Sequence, residues 1–108
     1  MENWISICES DAIAPNTGVC AKVEDKQIAI FFSKRTNSLH AISNYDPIGK
    51  ANILSRGILG CMDDKLCVSS PLYKQHFCLE TGHCIEDPEY NVPIYQVRNN
   101  NGTIEVKQ

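Results

Sequence analysis

Apolar and polar residues alternate along this chain in short bursts, and each burst is closed by residues that turn the backbone. The first burst, Trp4-Ile5-Ser6-Ile7-Cys8, has the two-residue period of a half-buried strand. Residues 9–14 leave room for one helical turn with Ser10 as its cap, and Pro15-Asn16-Thr17-Gly18 turns the chain. Residues 19–23 and 27–33 predict a hairpin around Glu24-Asp25-Lys26. Arg35-Thr36-Asn37-Ser38 then leads into a strand over 39–43. A second hairpin pairs 57–62 with 66–69 around Asp63-Asp64, and short strands follow at 76–79 and 93–97. The last hairpin turns at Asn99-Asn100-Asn101-Gly102, where Asn and Gly tolerate positive φ, and closes with 103–106.

No stretch keeps a 3.6-residue apolar period, so no long amphipathic helix is expected. Short strands punctuated by regular turns predict an all-β fold, an antiparallel sandwich or barrel forming a single domain over 1–108. No internal repeat or linker is expected, and residues 88–93, bounded by Pro88 and Pro93, read as an extended crossing. Two loops break the rhythm, 44–56 and 70–74, and loops held by a rigid sheet are the usual carriers of function.

A chain of 108 residues can bury a core worth about 5–15 kcal/mol of stability without covalent staples. Ten Lys and Arg against thirteen Asp and Glu give a net charge of −3, and no run collects enough cations to neutralise a row of phosphates. Nucleic acid is therefore excluded as a partner. The longest apolar run, Ile28-Ala29-Ile30-Phe31-Phe32, is far too short to span a bilayer as a helix. The Met1-Glu2-Asn3-Trp4 start lacks the basic and apolar regions of a secretion signal, so a cytoplasmic location is expected.

That location bears on the six cysteines, because a disulfide framework needs an oxidising compartment. Cys8, Cys20, Cys61, Cys67 and Cys78 lie in apolar strand-like runs and read as small buried hydrophobes. His76, Cys78, His83 and Cys84 offer four soft ligands within nine residues, but without the Cys-x-x-Cys knuckle of a zinc site. They read instead as loop histidines beside core thiols. The acids Asp63, Asp64, Glu86, Asp87 and Glu89 cluster at turns and read as solvated surface, so no catalytic residue is expected.

The two loops carry a resemblance. Ala41-Ile42-Ser43-Asn44-Tyr45-Asp46-Pro47, Leu54-Ser55-Arg56-Gly57, Ser69-Ser70-Pro71-Leu72-Tyr73-Lys74-Gln75-His76-Phe77 and Leu79-Glu80-Thr81-Gly82 resemble the Rieske iron–sulfur domain. Within that family they are most similar to the small subunits of bacterial NADH-dependent nitrite reductases, as are Trp4 and Thr17-Gly18-Val19-Cys20-Ala21. A working Rieske domain presents Cys-x-His on one loop and Cys-x-x-His on the other, two thiolates on one iron and two imidazoles on the second. This sequence has Asn44-Tyr45-Asp46 and Ser70-Pro71-Leu72-Tyr73 in their place, so Asn44, Asp46, Ser70 and Tyr73 replace all four ligands. An amide, a carboxylate, an alcohol and a phenol do not reproduce that donor set. The expectation is a Rieske-like fold that keeps its loops but holds no cluster, with Asp46 and Ser70 binding loop amides.

The resemblance implies an accessory subunit whose large partner chain carries FAD, siroheme and an iron–sulfur cluster and reduces nitrite to ammonium with NADH. The partner face is expected to include the former cluster loops, with Arg56, Lys74, Gln75 and His76 as donors and Ile48, Leu72 and Tyr73 as apolar anchors. The competing readings are a Rieske-type electron carrier, which would need the missing ligands, and a thiol or zinc module built on His76, Cys78, His83 and Cys84.

Overall fold

The computed structural model describes residues 4–62, 65–72 and 74–107. Among these residues eleven antiparallel strands form three sheets. Six of them, in the order β1-β11-β10-β4-β3-β2, make the main sheet. These are β1 (Trp4–Glu9), β2 (Gly18–Val23), β3 (Lys26–Ser33), β4 (Ser38–Ser43), β10 (Ile94–Asn100) and β11 (Thr103–Lys107). The sheet curls until residues 5–8 of β1 and 19–22 of β2, its two outer strands, line a common groove. A second sheet joins β7 (Ile58–Met62), β8 (Lys65–Ser69) and β9 (His76–Cys78) in sequence order. The third is a hairpin of two-residue strands, β5 (Tyr45–Asp46) and β6 (Ala51–Asn52), inside the first loop.

The apolar run of β3 is explained by its position. Ile28 and Ile30 point into a core with Ile13, Val23, Ala41, Ile104 and Val106, inside the curl of the main sheet. Ala29 and Phe31 point the other way, into a core with Ile42, Leu54, Val68, Phe77, Leu79, Cys84 and Val92 that joins the main sheet to the three-stranded one. A strand covered on both faces needs apolar residues at successive positions, whereas β2, with Val19, Ala21 and Val23 inward and Cys20 and Lys22 outward, keeps the two-residue period.

Several expectations change. Ser10 is not a helix cap. It begins a 3₁₀ turn, Ser10–Ala12, whose cap is Glu9 with no capping side-chain bond. Strand β10 runs on to Asn100, and β9 ends at Cys78. Cys20 and Cys61 are exposed rather than buried, Cys8 is half-buried, and Cys67, Cys78 and Cys84 are the core thiols. All six are free thiols. The Asp63-Asp64 bend lies outside the described residues. No helix among the described residues is long and apolar enough to cross a membrane.

Candidate functional site

The loops 44–57 and 70–75 leave β4 and β8 at the same end of the molecule, and each is pinned to the core at its base. The first is anchored by Leu54, fully buried in the 3₁₀ turn Leu54–Arg56, a burial worth about 1.5–3 kcal/mol. It leaves the core at Gly57, where a Cβ would stand 2.4 Å from the Ser69 carbonyl oxygen. Only glycine permits that approach between the two loop bases.

Three of the four residues at the degenerate ligand positions are buried polar side chains: Asn44, Asp46 and Ser70. Tyr73, the fourth, lies outside the described residues. The Asn44 amide donates to Gln27 Oε1 at 3.1 Å and Cys20 Sγ at 3.3 Å, and its Oδ1 accepts the Ser55 N–H at 2.6 Å. Its carbonyl accepts from Ile53 and Leu54. Asn44 thus ties the β2–β3 hairpin to the 3₁₀ turn, with every polar group used, as burial requires.

Asp46 is fully buried, and its Oδ1 accepts the Ile48 and Gly49 amides at 2.9 and 3.0 Å. Its Oδ2 accepts the Ser70 hydroxyl at 2.5 Å, a buried hydrogen bond joining residues 24 apart in the chain. Ser70 in turn receives the Leu72 amide, loosely, at 3.4 Å. Close packing reinforces this clasp, since a Cβ on Gly49 would lie 2.7 Å from Leu72 Cδ1.

The structure also shows an echo that the sequence reading did not find. Asp46-Pro47-Ile48-Gly49-Lys50 and Ser70-Pro71-Leu72-Tyr73-Lys74 are built alike. In each, the first side chain takes the amide two residues on, and the fifth residue's N–H closes on the first residue's carbonyl, at 2.7 Å in one loop and 3.0 Å in the other. The fifth residue is a lysine in the left-handed region both times, φ +57° at Lys50 and +62° at Lys74. Such conformations in a non-glycine residue persist only where surrounding contacts impose them, and they gather at functional sites.

The expected contact residues separate. Arg56, Leu72 and Lys74 are exposed, whereas Ile48 packs against the core and Gln75 is half-buried. Gln75 Oε1 is buried without a hydrogen-bond partner among the described residues. His76 is committed to Glu86, which takes its backbone N–H at 2.7 Å and its ring Nδ1 at 2.5 Å. Burial works to raise the Glu86 carboxyl, but these bonds outweigh it and hold the group below its ordinary range. Glu86 is exposed, as expected of the turn acids, and is paired with His76. Sequence reasoning missed Tyr45, Lys50 and Ile58, all exposed at this end.

The thiols and histidines do not converge. His83 is exposed while Cys84 is buried in the core. No group of three or more His, Cys, Asp or Glu among the described residues is placed to hold a metal.

The sequence model of the Rieske-like [2Fe-2S] domain matches residues 3–107. The nitrite reductase (NADH) small subunit of Escherichia coli K12 is 41% identical over 107 residues, 99% of each chain. The NMR structure of the E. coli protein NirD superposes with a TM-score of 0.91 at 41% identity, covering 100% of this chain and 98% of that one. The ferredoxin of carbazole 1,9a-dioxygenase from Nocardioides aromaticivorans shares the fold, at a TM-score of 0.82, 21% identity and 96% of both chains. A Klebsiella oxytoca nitrite reductase [NAD(P)H] large subunit is 37% identical over 101 residues, 94% of this chain and 10% of that protein.

The family's name implies a [2Fe-2S] cluster, and the residues here do not fit one. Asn44 is turned onto Cys20, Gln27 and Ser55, and Asp46 and Ser70 are bonded to each other where ligands would have to face iron. With this fold, this matched length and this identity, the chain belongs to the Rieske-like domain family, among the small subunits of NADH-dependent nitrite reductase.

Proposed function

We propose that this chain is a cluster-less small subunit of a cytoplasmic NADH-dependent nitrite reductase, acting by assembly with a large catalytic chain. FAD, siroheme and the iron–sulfur cluster, and with them the six-electron reduction of nitrite to ammonium, belong to that large chain. The carrying observation is the Asp46–Ser70 hydrogen bond, which spends two former ligand positions on holding the loops together. Electron transfer through this chain has no donor set to support it, and a loop end kept in one arrangement without metal suits a contact surface. The Klebsiella large subunit supports the same reading, because a stretch homologous to this chain lies within that longer protein.

The test is co-expression with the cognate large subunit, with and without this chain. NADH-dependent nitrite reduction, or the amount of intact large subunit, falls sharply without it. Unchanged activity and yield overturn the proposal. Reduced, purified chain also carries no iron and gives no rhombic iron–sulfur spin signal; either one at one cluster per chain refutes the cluster-less part.

A further inference from the structure

We infer that the paired loops are a docking cradle for an acidic patch with an apolar centre on the large subunit. The inference rests on the proposed function and adds the chemistry of the contact. Its ground is the distribution of charge. Within residues 44–57 and 69–76 the only acid is Asp46, which is buried, while Lys50, Arg56 and Lys74 are exposed; Glu86, from outside these segments, is the acid bonded to His76. The remaining chain holds seven of the ten Lys and Arg but twelve of the thirteen Asp and Glu. A basic end on an acidic protein orients it toward a negative partner and away from a second copy of itself.

Exposed apolar side chains lie on the same loops and at their edge. Ile58 is 77% exposed, Leu72 51% and Tyr45 43%, three of the five large exposed apolar residues described. Ile58 lines a cleft of about 280 Å³ with Arg56, Pro71 and Lys74. An exposed apolar side chain beside cations, as Ile58 is beside Arg56 and Lys74, fits an interface with an apolar centre and a charged rim.

The left-handed lysines are a further observation at this end, where the conformation recurs at the same position of two loops, although a charged residue also takes it at the Glu24 hairpin turn. At φ near +60° glycine is the residue of least strain, and both loops use lysine there. The Asp46–Ser70 bond fixes the two loops, and hence the two lysines, relative to one another. The fixed loops set where the two lysine stems leave the backbone, and each exposed ammonium on its flexible stem adds positive charge that favours carboxylates on the partner.

The experiment measures association of the full-length chain with its purified large subunit, at about 50 and about 300 mM salt. The Lys50→Gly/Lys74→Gly double variant keeps its loops, melts no lower than the parent, and binds at least about tenfold more weakly. Adding Arg56→Glu weakens binding further, and salt lowers the parent's affinity more than the double variant's. Lys34→Glu, at the far end of β3 where its amide bonds Asn16, binds like the parent. A double variant with parental affinity, or a parent indifferent to salt, overturns the cradle while leaving the subunit assignment standing. A parent that does not bind its large subunit at all removes both.

Discussion

Replacing Ser70 with alanine tests the central contact directly. The hydroxyl is the donor to Asp46 Oδ2, and both residues are sealed from water. Removing it leaves a buried carboxyl oxygen with no donor, which costs about 1–3 kcal/mol, whereas the volume lost is too small to matter. Taking about 2 kcal/mol, the melting temperature falls by roughly 8 °C for a chain of this length. Asp46→Ala is worse, because it orphans the Ile48 and Gly49 amides as well as Ser70, three bonds at about 1 kcal/mol each. Asp46→Asn keeps Oδ1 for the two amides and turns an NH₂ toward the Ser70 oxygen, so it loses least. Urea unfolding of the parent and three variants measures the order, with an unchanged m-value confirming that the same surface unfolds. A Ser70→Ala loss under about 0.5 kcal/mol, or Asp46→Ala milder than Ser70→Ala, refutes the assigned role of the clasp.

Two further outcomes follow from the same geometry. Gly57→Ala forces a Cβ to 2.4 Å from the Ser69 oxygen and 2.6 Å from Val68 Cγ2, and it destabilises by at least about 2 kcal/mol in the same urea assay. Gly60→Ala, with nothing within 4 Å of the added carbon, stays within about 0.5 kcal/mol of the parent. Stability against pH isolates His40, whose imidazole burial pushes below its ordinary 6.5, opposed by the Glu80 carboxylate and a hydrogen bond to the Leu79 backbone. The unfolded chain then takes up its proton first, so this contribution is whole above pH 6.5 and is lost as pH falls through the folded value. The parent loses more stability than His40→Gln between about pH 7.5 and 5.5; an equal or smaller loss contradicts that sign.

How far the sequence reveals this molecule depends on whether a feature is local. The succession of strands and turns along the chain was readable because period and turn chemistry are local: Asn16, Asn37, Asn101 and Gly102, all at predicted turns, do adopt positive φ. The exposure of Cys20 was available in the same pattern, since it shares the outward face of β2 with Lys22. Reading every cysteine as buried set residue type above period. Strands β5 and β6 were invisible because two residues carry no period. The left-handed Lys50 and Lys74 were hidden for the opposite reason, as lysine announces no such conformation and only the surrounding hydrogen bonds impose it. The positions of Asn44, Asp46 and Ser70 came from resemblance alone. That Asp46 and Ser70 meet is a property of two loops folding onto one end, and nothing within either loop encodes it.

The echo between the loops explains why the residues that meet are unlike while the loops that carry them are alike. In both pentapeptides proline fixes the second residue, the first side chain takes an amide two residues on, and lysine closes the turn. Each construction leaves one further hydrogen-bonding site on its first side chain, aimed at the other loop. Two aspartates there would bring buried carboxylates face to face, which drives up the pKa of one and strains the pair. Two serines could bond each other, but a serine oxygen lies one bond closer to the backbone and would have to serve both amides and the neighbouring hydroxyl from one atom, contacts that Asp46 divides between two oxygens. One acid and one alcohol satisfy both demands, with Oδ1 for its own loop, Oδ2 for the neighbouring hydroxyl, and that hydroxyl's oxygen still free to accept the Leu72 amide. The scaffold can therefore keep its two loops in contact through side-chain hydrogen bonds alone.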